Sequence, residues 1–329
     1  MLPVNDVVKF LWHRVKKDKP IAFACRLLSL GVIGLTLPDR AWRLYRIKKE
    51  AYPKTNIHKQ IMGNWMILNL DDKGISHELL LDGEREPFLT NLIQDNVKER
   101  DVVVDIGANI GYYALQEARL VDKEGIVYAI EPVFSNATTL SANRFLNDFG
   151  NIEITQCAIS DHKGESWIYT GNMSNTASMN KNPARTYSKG FKVETMTLDT
   201  FLEGKKLPDI IRMDVEGYEY EVILGMNKLL DSRQPLMIFM EMHLNFLDRE
   251  KIQEILCLLE DAGFEIKAIA QEPHPAIQHV VWAYRIINWL WKRMGAGIGY
   301  LDWNIDDVLM NEDCLNGQIE YLEIMFERK

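Results

Sequence analysis

Residues 102–115 read VVVDIGANIGYYAL, and no other stretch limits the fold of this chain so strongly. Val102, Val103 and Val104 form a β-branched run of the kind found in a parallel strand covered on both faces. Asp105 closes the strand, Gly107 and Gly111 bracket a turn, and an apolar helix follows from Ile110 to about Val121. Glycines at such a turn let the backbone approach a ligand, and the helix N-terminus supplies unpaired N–H groups. A strand, glycine turn and helix in this order are the first βα unit of a doubly wound sheet, the usual seat of nucleotide-like cofactors.

Charge narrows the cofactor. The stretch has neither G-x-G-x-x-G nor Gly-Lys-Ser/Thr, the signatures of dinucleotide and triphosphate loops. A carboxylate at the strand tip would repel a diphosphate a few ångströms away. S-adenosylmethionine (SAM) has no phosphate and carries an ammonium and a sulfonium, which suit Asp105. A second strand, Ile126 to Glu131, ends in an acid 20 residues after Gly111, where a carboxylate can hold both ribose hydroxyls. Strand-ending acids and turn glycines occur in any α/β domain. The spacing of Glu131 is what favours SAM.

At 329 residues the chain can bury a full core. Cys25, Cys157, Cys257 and Cys314 form no CxxC pair and read as buried thiols of a reducing, cytoplasmic compartment. Residues 1–54 hold 12 Lys/Arg against 4 Asp/Glu, and the remainder holds 26 against 43. A body that acidic is poorly suited to neutralise phosphates, which excludes nucleic acid as a substrate. Residues 21–37, IAFACRLLSLGVIGLTL, are interrupted by Arg26 and are too short to span a bilayer comfortably. The segment has no cleavage site of small residues. It reads as a packing helix, with an interfacial segment drawn to anionic lipid as the alternative.

Downstream, the stretch from Asn64 to Leu81 reads as a hairpin turning at Asp71–Gly74, followed by a helix from about Glu86 to Val97. A helix N-capped by Ser135 runs to Asn147, and 152–159 alternates as a third strand. Residues 161–191 are polar enough for a loop that could cover a cleft. Strands follow at Asp209–Asp214 and Leu236–Met242. A helix capped by Asp248 and stopped by Gly263 presents Ile252, Ile255, Leu256 and Leu259 on one face. Phe264–Ala270 is a sixth strand, and the terminal QIEYLEIMFERK a closing one, which leaves 271–317 as an insertion. The pattern is a mostly parallel α/β sheet.

The stretch IRMDVEGYEYEVILGM (211–226), taken with DIGANIGYY, AIEP, LSANRFLN, AISD, TLD and the acid of FMEMH, resembles the FkbM family of SAM-dependent methyltransferases over about residues 60–245. Arg212 stands where a lysine is more usual. The resemblance implies a Rossmann-like class I methyltransferase fold, with seven strands, mostly parallel, and the last antiparallel. The chain itself reads as a helical extension at 1–55, a hairpin and helix at 56–100, and the methyltransferase domain at 101–329 with 271–317 as an insertion or lid; 1–55 and 271–317 lie outside the resemblance. Members methylate hydroxyl groups of sugars, glycolipids or polyketides. Carried over, Asp105, Gly107, Asn109 and Gly111 would surround the methionine part of SAM, Glu131 would hold the ribose, and Ala158 and Ile159 would flank the adenine. Asp214 and Glu216 would face the transferred methyl.

Methyl transfer to an alcohol needs the acceptor positioned and its proton removed. Asp214, Glu216 and His243 are the candidates, and histidine has the most suitable reference pKa. Against these roles, Glu216 could merely cap the next helix and His243 could be a loop histidine without function. Asp214, Glu216, Glu241 and His243 could converge on a metal as O/N ligands, but the spacing demands none. The expected activity is O-methylation of a small-molecule, glycan or lipid-linked acceptor. The alternatives are N-methylation of a peptide and SAM binding without catalysis. Aromatic and basic residues in 279–300, with the segment 10–49, suggest peripheral contact with the cytoplasmic leaflet; ordinary packing or a homodimer interface is the competing reading.

Overall fold

A computed structural model describes residues 40–171, 173–174, 177–180, 187, 189–270, 300–301, 304–315 and 319–329 of the chain. The chain divides into two compact units, residues 1–50 with 273–298 and residues 51–272 with 299–329. In the first, the described residues 40–50 are helical. The proposed membrane segments 10–49 and 279–300 fall largely outside the described residues. Among the described residues, no helix is long and apolar enough to cross a membrane.

Among its described residues the second unit contains thirteen strands: β1 (Asn56–Ile61), β2 (Asn64–Asn69), β3 (Val102–Ile106), β4 (Ile126–Ile130), β5 (Ile152–Thr155), β6 (Ala158–Ile159), β7 (Gly164–Thr170), β8 (Lys189–Met196), β9 (Ile210–Met213), β10 (Leu236–Met242), β11 (Glu265–Ala270), β12 (Tyr300–Leu301) and β13 (Leu322–Arg328). The main sheet runs β5-β4-β3-β9-β10-β13-β11, with the two-residue β12 on its edge. From β5 to β10 all pairs are parallel, and β13 is antiparallel to both neighbours. Numbered by chain order within the sheet this is 3-2-1-4-5-7-6, the class I methyltransferase arrangement expected from the sequence. The order reverses between β3 and β9, and that switch point opens a crevice at the carboxyl ends of the strands.

All five residues of β3 and all four of β9 are buried, which explains their β-branched and apolar composition. The helix Arg249–Asp261 buries Ile252, Ile255, Leu256 and Leu259, and its N-cap Asp248 accepts from the Lys251 N–H at 2.9 Å. The C-terminal strand is tied down by Arg328, which donates to the carbonyls of Gln234, Leu230, Ala262 and Leu229 at 2.7–3.2 Å.

Several expectations need correction. The first hairpin turns at Met62–Gly63, both with positive φ, and Asp71–Gly74 leads instead into the helix Ile75–Asp82. A two-residue turn of this type twists as its strands do. The stretch 152–159 is two strands rather than one, with β5 in the main sheet and β6 in a second sheet of order β6-β8-β7. The strands β7 and β8 occupy both ends of the supposed loop 161–191. The N-cap of Phe134–Leu146 is Val133, so Ser135 lies inside the first turn. Cys157 and Cys314 are buried thiols, but Cys257 is exposed, because it lies off the apolar stripe of its helix. Within the insertion, β12 and the helices Ile305–Leu309 and Glu312–Leu315 are described.

Candidate active site

The crevice at the switch point encloses about 600 Å3, part of it open to solvent. Gly107, Asn109, Glu131, Ala158, Ile159, Asp214 and Glu216 all line it. Asp105, Gly111 and His243 stand behind the lining rather than in it.

The turn after β3 is braced from two sides. The N–H groups of Gly107 and Ala108 donate to the Ile130 carbonyl at 2.9 and 3.0 Å, which holds the turn against the end of β4. The Asn109 N–H donates to Glu131 Oε2 at 2.9 Å, and the Val133 N–H donates to Oε1 at 2.8 Å. Gly107 has φ +84°, and a Cβ there would stand 2.0 Å from the Asp214 carbonyl oxygen. Only glycine lets the turn after β3 lie this close to the end of β9. Burial pushes the Glu131 carboxyl up to about 7, against the pull of its hydrogen bonds from Val133, Asn109 and Asn136.

The remaining polar stretch closes one flank. Ser174, Ala177 and Met179 line the crevice. The Ser174 carbonyl accepts from the Asn109 side chain at 3.1 Å, and the Ser178 hydroxyl donates to the Glu216 carbonyl at 2.7 Å. The segment therefore touches both the β3 turn and the turn after β9. Its anchor is Asp72, whose carboxylate accepts from the N–H and hydroxyl of Ser174 at 2.9 and 2.7 Å.

The acids at the ends of β9 and β10 form a buried ionised group. Arg212 is the register partner of Asp105 across β3 and β9. Its guanidinium forks between Asp105 Oδ1 at 2.9 Å and Asp214 Oδ2 at 3.2 Å. It also lies 4.1 Å over the Tyr113 ring. Asp105, expected beside SAM, is thus fully buried and committed to Arg212. Burial pushes the Asp214 carboxyl upward, but Arg212, His243 and Arg85 together outweigh this and hold it below the ordinary range. For Asp105 burial prevails and the shift is upward.

His243 is buried just past β10. Its Nδ1 lies 2.8 Å from Glu219 Oε1, and its Nε2 lies 3.5 Å from both Glu216 Oε2 and Glu241 Oε1. Burial alone would lower the pKa of the ring, but Glu216, Glu241 and Glu219 hold it well above the usual value. The three carboxylates thus favour the protonated form of the ring over the neutral one. Burial and the nearby Asp214 push Glu241 up to about 8. Asp214, Glu216 and His243 bring ligand-type atoms within 4.8 Å of one another, and so do Glu86, Glu241 and Glu323.

Four participants escaped the sequence reading: Glu219, which orients His243, and Arg85, Glu86 and Glu323 behind Glu241. Glu86 accepts from the Tyr113 hydroxyl at 2.8 Å and is in contact with Arg85. The one available signal was Arg212 itself, because an arginine in the apolar run IIRM requires an anion on an adjacent strand.

Residues 105–266 match the family described as the methyltransferase FkbM domain. No curated protein sequence matches the chain. Among solved structures, a precorrin-6y C5,15-methyltransferase from Geobacter metallireducens is 12% identical with a TM-score of 0.38, covering 76% of this chain and 92% of its own. A SAM-dependent methyltransferase from Aquifex aeolicus is 18% identical with a TM-score of 0.35, covering 61% and 88%. A putative transferase from Pyrococcus horikoshii is 14% identical with a TM-score of 0.42, covering 84% and 72%. At such scores the strand order and the family match carry the assignment.

Proposed function

Because residues 105–266 form an FkbM methyltransferase domain, we propose that the protein transfers the methyl group of SAM to a hydroxyl of a sugar, glycolipid or related small metabolite. The observation that carries this reading is the two-sided lining of one crevice. The β3 turn and Glu131 stand on one side, and the carboxylates of Asp214 and Glu216 on the other.

On this reading Glu131 accepts from the ribose hydroxyls, and Ala158 and Ile159 flank the adenine. The N–H groups of the β3 turn are largely taken by Ile130 and Glu131, so the turn contributes shape more than free donors. SAM supplies the electrophilic methyl. The acceptor oxygen attacks it in line, the S–C bond breaks with its electron pair staying on sulfur, and the hydroxyl proton leaves. The products are a methyl ether, S-adenosylhomocysteine and a proton. With Asp214 tied to Arg212 and the His243 ring biased towards its protonated form, we assign Glu216 to take that proton. His243 orients it from 3.5 Å.

Incubating the protein with methyl-labelled SAM and a cell extract, then separating lipid, glycan and protein, tests the reading. Label in a glycan or lipid fraction, stable to conditions that cleave esters, is expected. Label confined to protein would replace it with peptide methylation. Bound SAM with no label transferred would leave a SAM-binding protein without catalysis.

A further inference from the structure

The acids and the imidazole at the ends of β9 and β10 form more than a hydrogen-bonded cluster, because several of their polar atoms have no hydrogen-bond partner. Asp214 Oδ1 is buried and accepts no hydrogen bond, while Oδ2 is taken by Arg212. Glu241 is 9% exposed, and its carboxylate accepts no hydrogen bond from any described residue. Its nearest cation is the His243 ring, at 3.5 Å. His243 Nε2 likewise makes no hydrogen bond to a described residue, although the ring is 4% exposed. A buried carboxylate oxygen left without a partner, as Asp214 Oδ1 is, is rare and costly.

The geometry around them is that of a coordination shell. Glu219 accepts from Nδ1 at 2.8 Å and is itself held by the Gly217 N–H at 3.1 Å. This fixes the ring so that Nε2 faces the space bordered by Glu216 and Glu241. Carboxylate, histidine and ion in that order are the usual way proteins orient a ligating imidazole. Around an octahedral ion with bonds of about 2.1 Å, ligand atoms stand about 3.0 Å apart at right angles and about 4.2 Å apart across the ion. The 3.5 Å approaches of Nε2 to Glu216 and Glu241, and the 4.8 Å envelope of Asp214, Glu216 and His243, match those spacings after a small contraction. Charge points the same way. Arg212 is shared by Asp105 and Asp214, and Arg85 lies against Glu78 and Glu86. Glu241 is left beside two more buried carboxylates, Glu86 and Glu323.

We propose that Asp214, Glu216 and His243, whose Nε2 gives up its proton on binding, hold a divalent cation at the acceptor side of the crevice. Two carboxylates and one imidazole, with water completing the shell, suit Mn2+ or Mg2+. The role assigned to the ion rests on the methyl-transfer reading: it would coordinate the acceptor hydroxyl and lower its pKa, with Glu216 holding the ion through one oxygen and taking the proton on the other. Its existence does not rest on that reading, and the test is one of binding.

Full-length protein is titrated with Mn2+ and free Mn2+ is followed by electron paramagnetic resonance, with SAM affinity measured on the same samples by calorimetry. One Mn2+ per chain at micromolar affinity is expected. Asp214→Asn and His243→Gln should each weaken it at least tenfold while SAM affinity stays within threefold. A parent protein that binds SAM but takes up no Mn2+ at millimolar concentration overturns the site, as do folded variants that bind Mn2+ like the parent. A protein that binds Mn2+ but not SAM sinks the cofactor reading alone. If the variants do not fold, the parent decides: Mn2+ must broaden the His243 ring resonances before those of the exposed His162, and the reverse order refutes the proposal.

Discussion

The two walls of the crevice are built by different means. The cofactor wall is made of backbone: a glycine turn pinned to the Ile130 carbonyl, amide N–H groups on Glu131, and small apolar residues at 158 and 159. The acceptor wall is made of ionised side chains brought together from distant parts of the chain, with Arg212 between two aspartates and His243 among three glutamates. A backbone wall fits one ligand shape and tolerates little change in the turn. A wall of charges can be re-aimed by single substitutions, which suits a scaffold whose acceptors differ while its methyl donor stays the same.

The comparison is most sharply broken at the residue that belongs to both walls. Arg212→Ala would leave Asp105 and Asp214 buried without their shared cation, a loss of about 3–5 kcal/mol of folding stability, read by chemical denaturation. Arg212→Lys keeps the charge but not the fork, and should cost less than half as much. If both variants melt like the parent, the acceptor wall is not held by that ion pair.

Gly107→Ala attacks the contact between the walls. The new methyl meets the Asp214 carbonyl and sits at φ +84°, so a loss of about 2–4 kcal/mol is expected, with SAM affinity falling at the same time. A stable variant that binds SAM normally would mean that the turn can retreat from β9.

Asp214→Asn addresses the acceptor wall alone. Turnover should fall at least a hundredfold, about 2.7 kcal/mol on the barrier, in assays with labelled SAM. Activity close to that of the parent would reduce Asp214 to a structural partner of Arg212.

The smallest effect is one of pH. Glu131 has its carboxyl raised to about 7 by burial, so it is protonated below that pH and ionised above it. Ribose hydroxyls prefer the ionised form as acceptor. SAM affinity should therefore fall a few-fold as the pH drops from 8 to 6, and Glu131→Gln should flatten that dependence. An equally steep slope in the variant would move the titration to another group.

The difference between the walls also decides what could be read in advance. The β3 turn and the acid at the end of β4 were legible because each depends on residues close in sequence: β-branched runs, glycines at fixed offsets, an acid at the next strand end; the seven-stranded sheet with its antiparallel last strand came from the family resemblance. The partners on the acceptor wall were not. Asp105 and Arg212 are 107 positions apart, and their pairing follows from the register of two strands joined only after the sheet forms. Asp105 illustrates the loss. Its charge was read as incompatible with a diphosphate, yet the charge is spent on Arg212. His243 was judged by its reference pKa, which three neighbouring glutamates override. The small sheet of β7 and β8 was missed because the Asn-, Ser- and Lys-rich run between them, NMSNTASMNKNPARTYSKG, was extended over their ends as one loop from Asp161 to Phe191.

One measurement tests the division most directly: calorimetric titration of SAM into Glu131→Ala and Asp214→Asn side by side. Removing the Glu131 carboxylate takes away charge-assisted hydrogen bonds to the ribose, each worth about 1.5–3 kcal/mol. That variant should lose at least tenfold in affinity, whereas Asp214→Asn stays within a few-fold of the parent. A folded Glu131→Ala protein that binds SAM as the parent does, or an Asp214→Asn protein that loses it, would contradict the assignment of cofactor and acceptor to opposite walls.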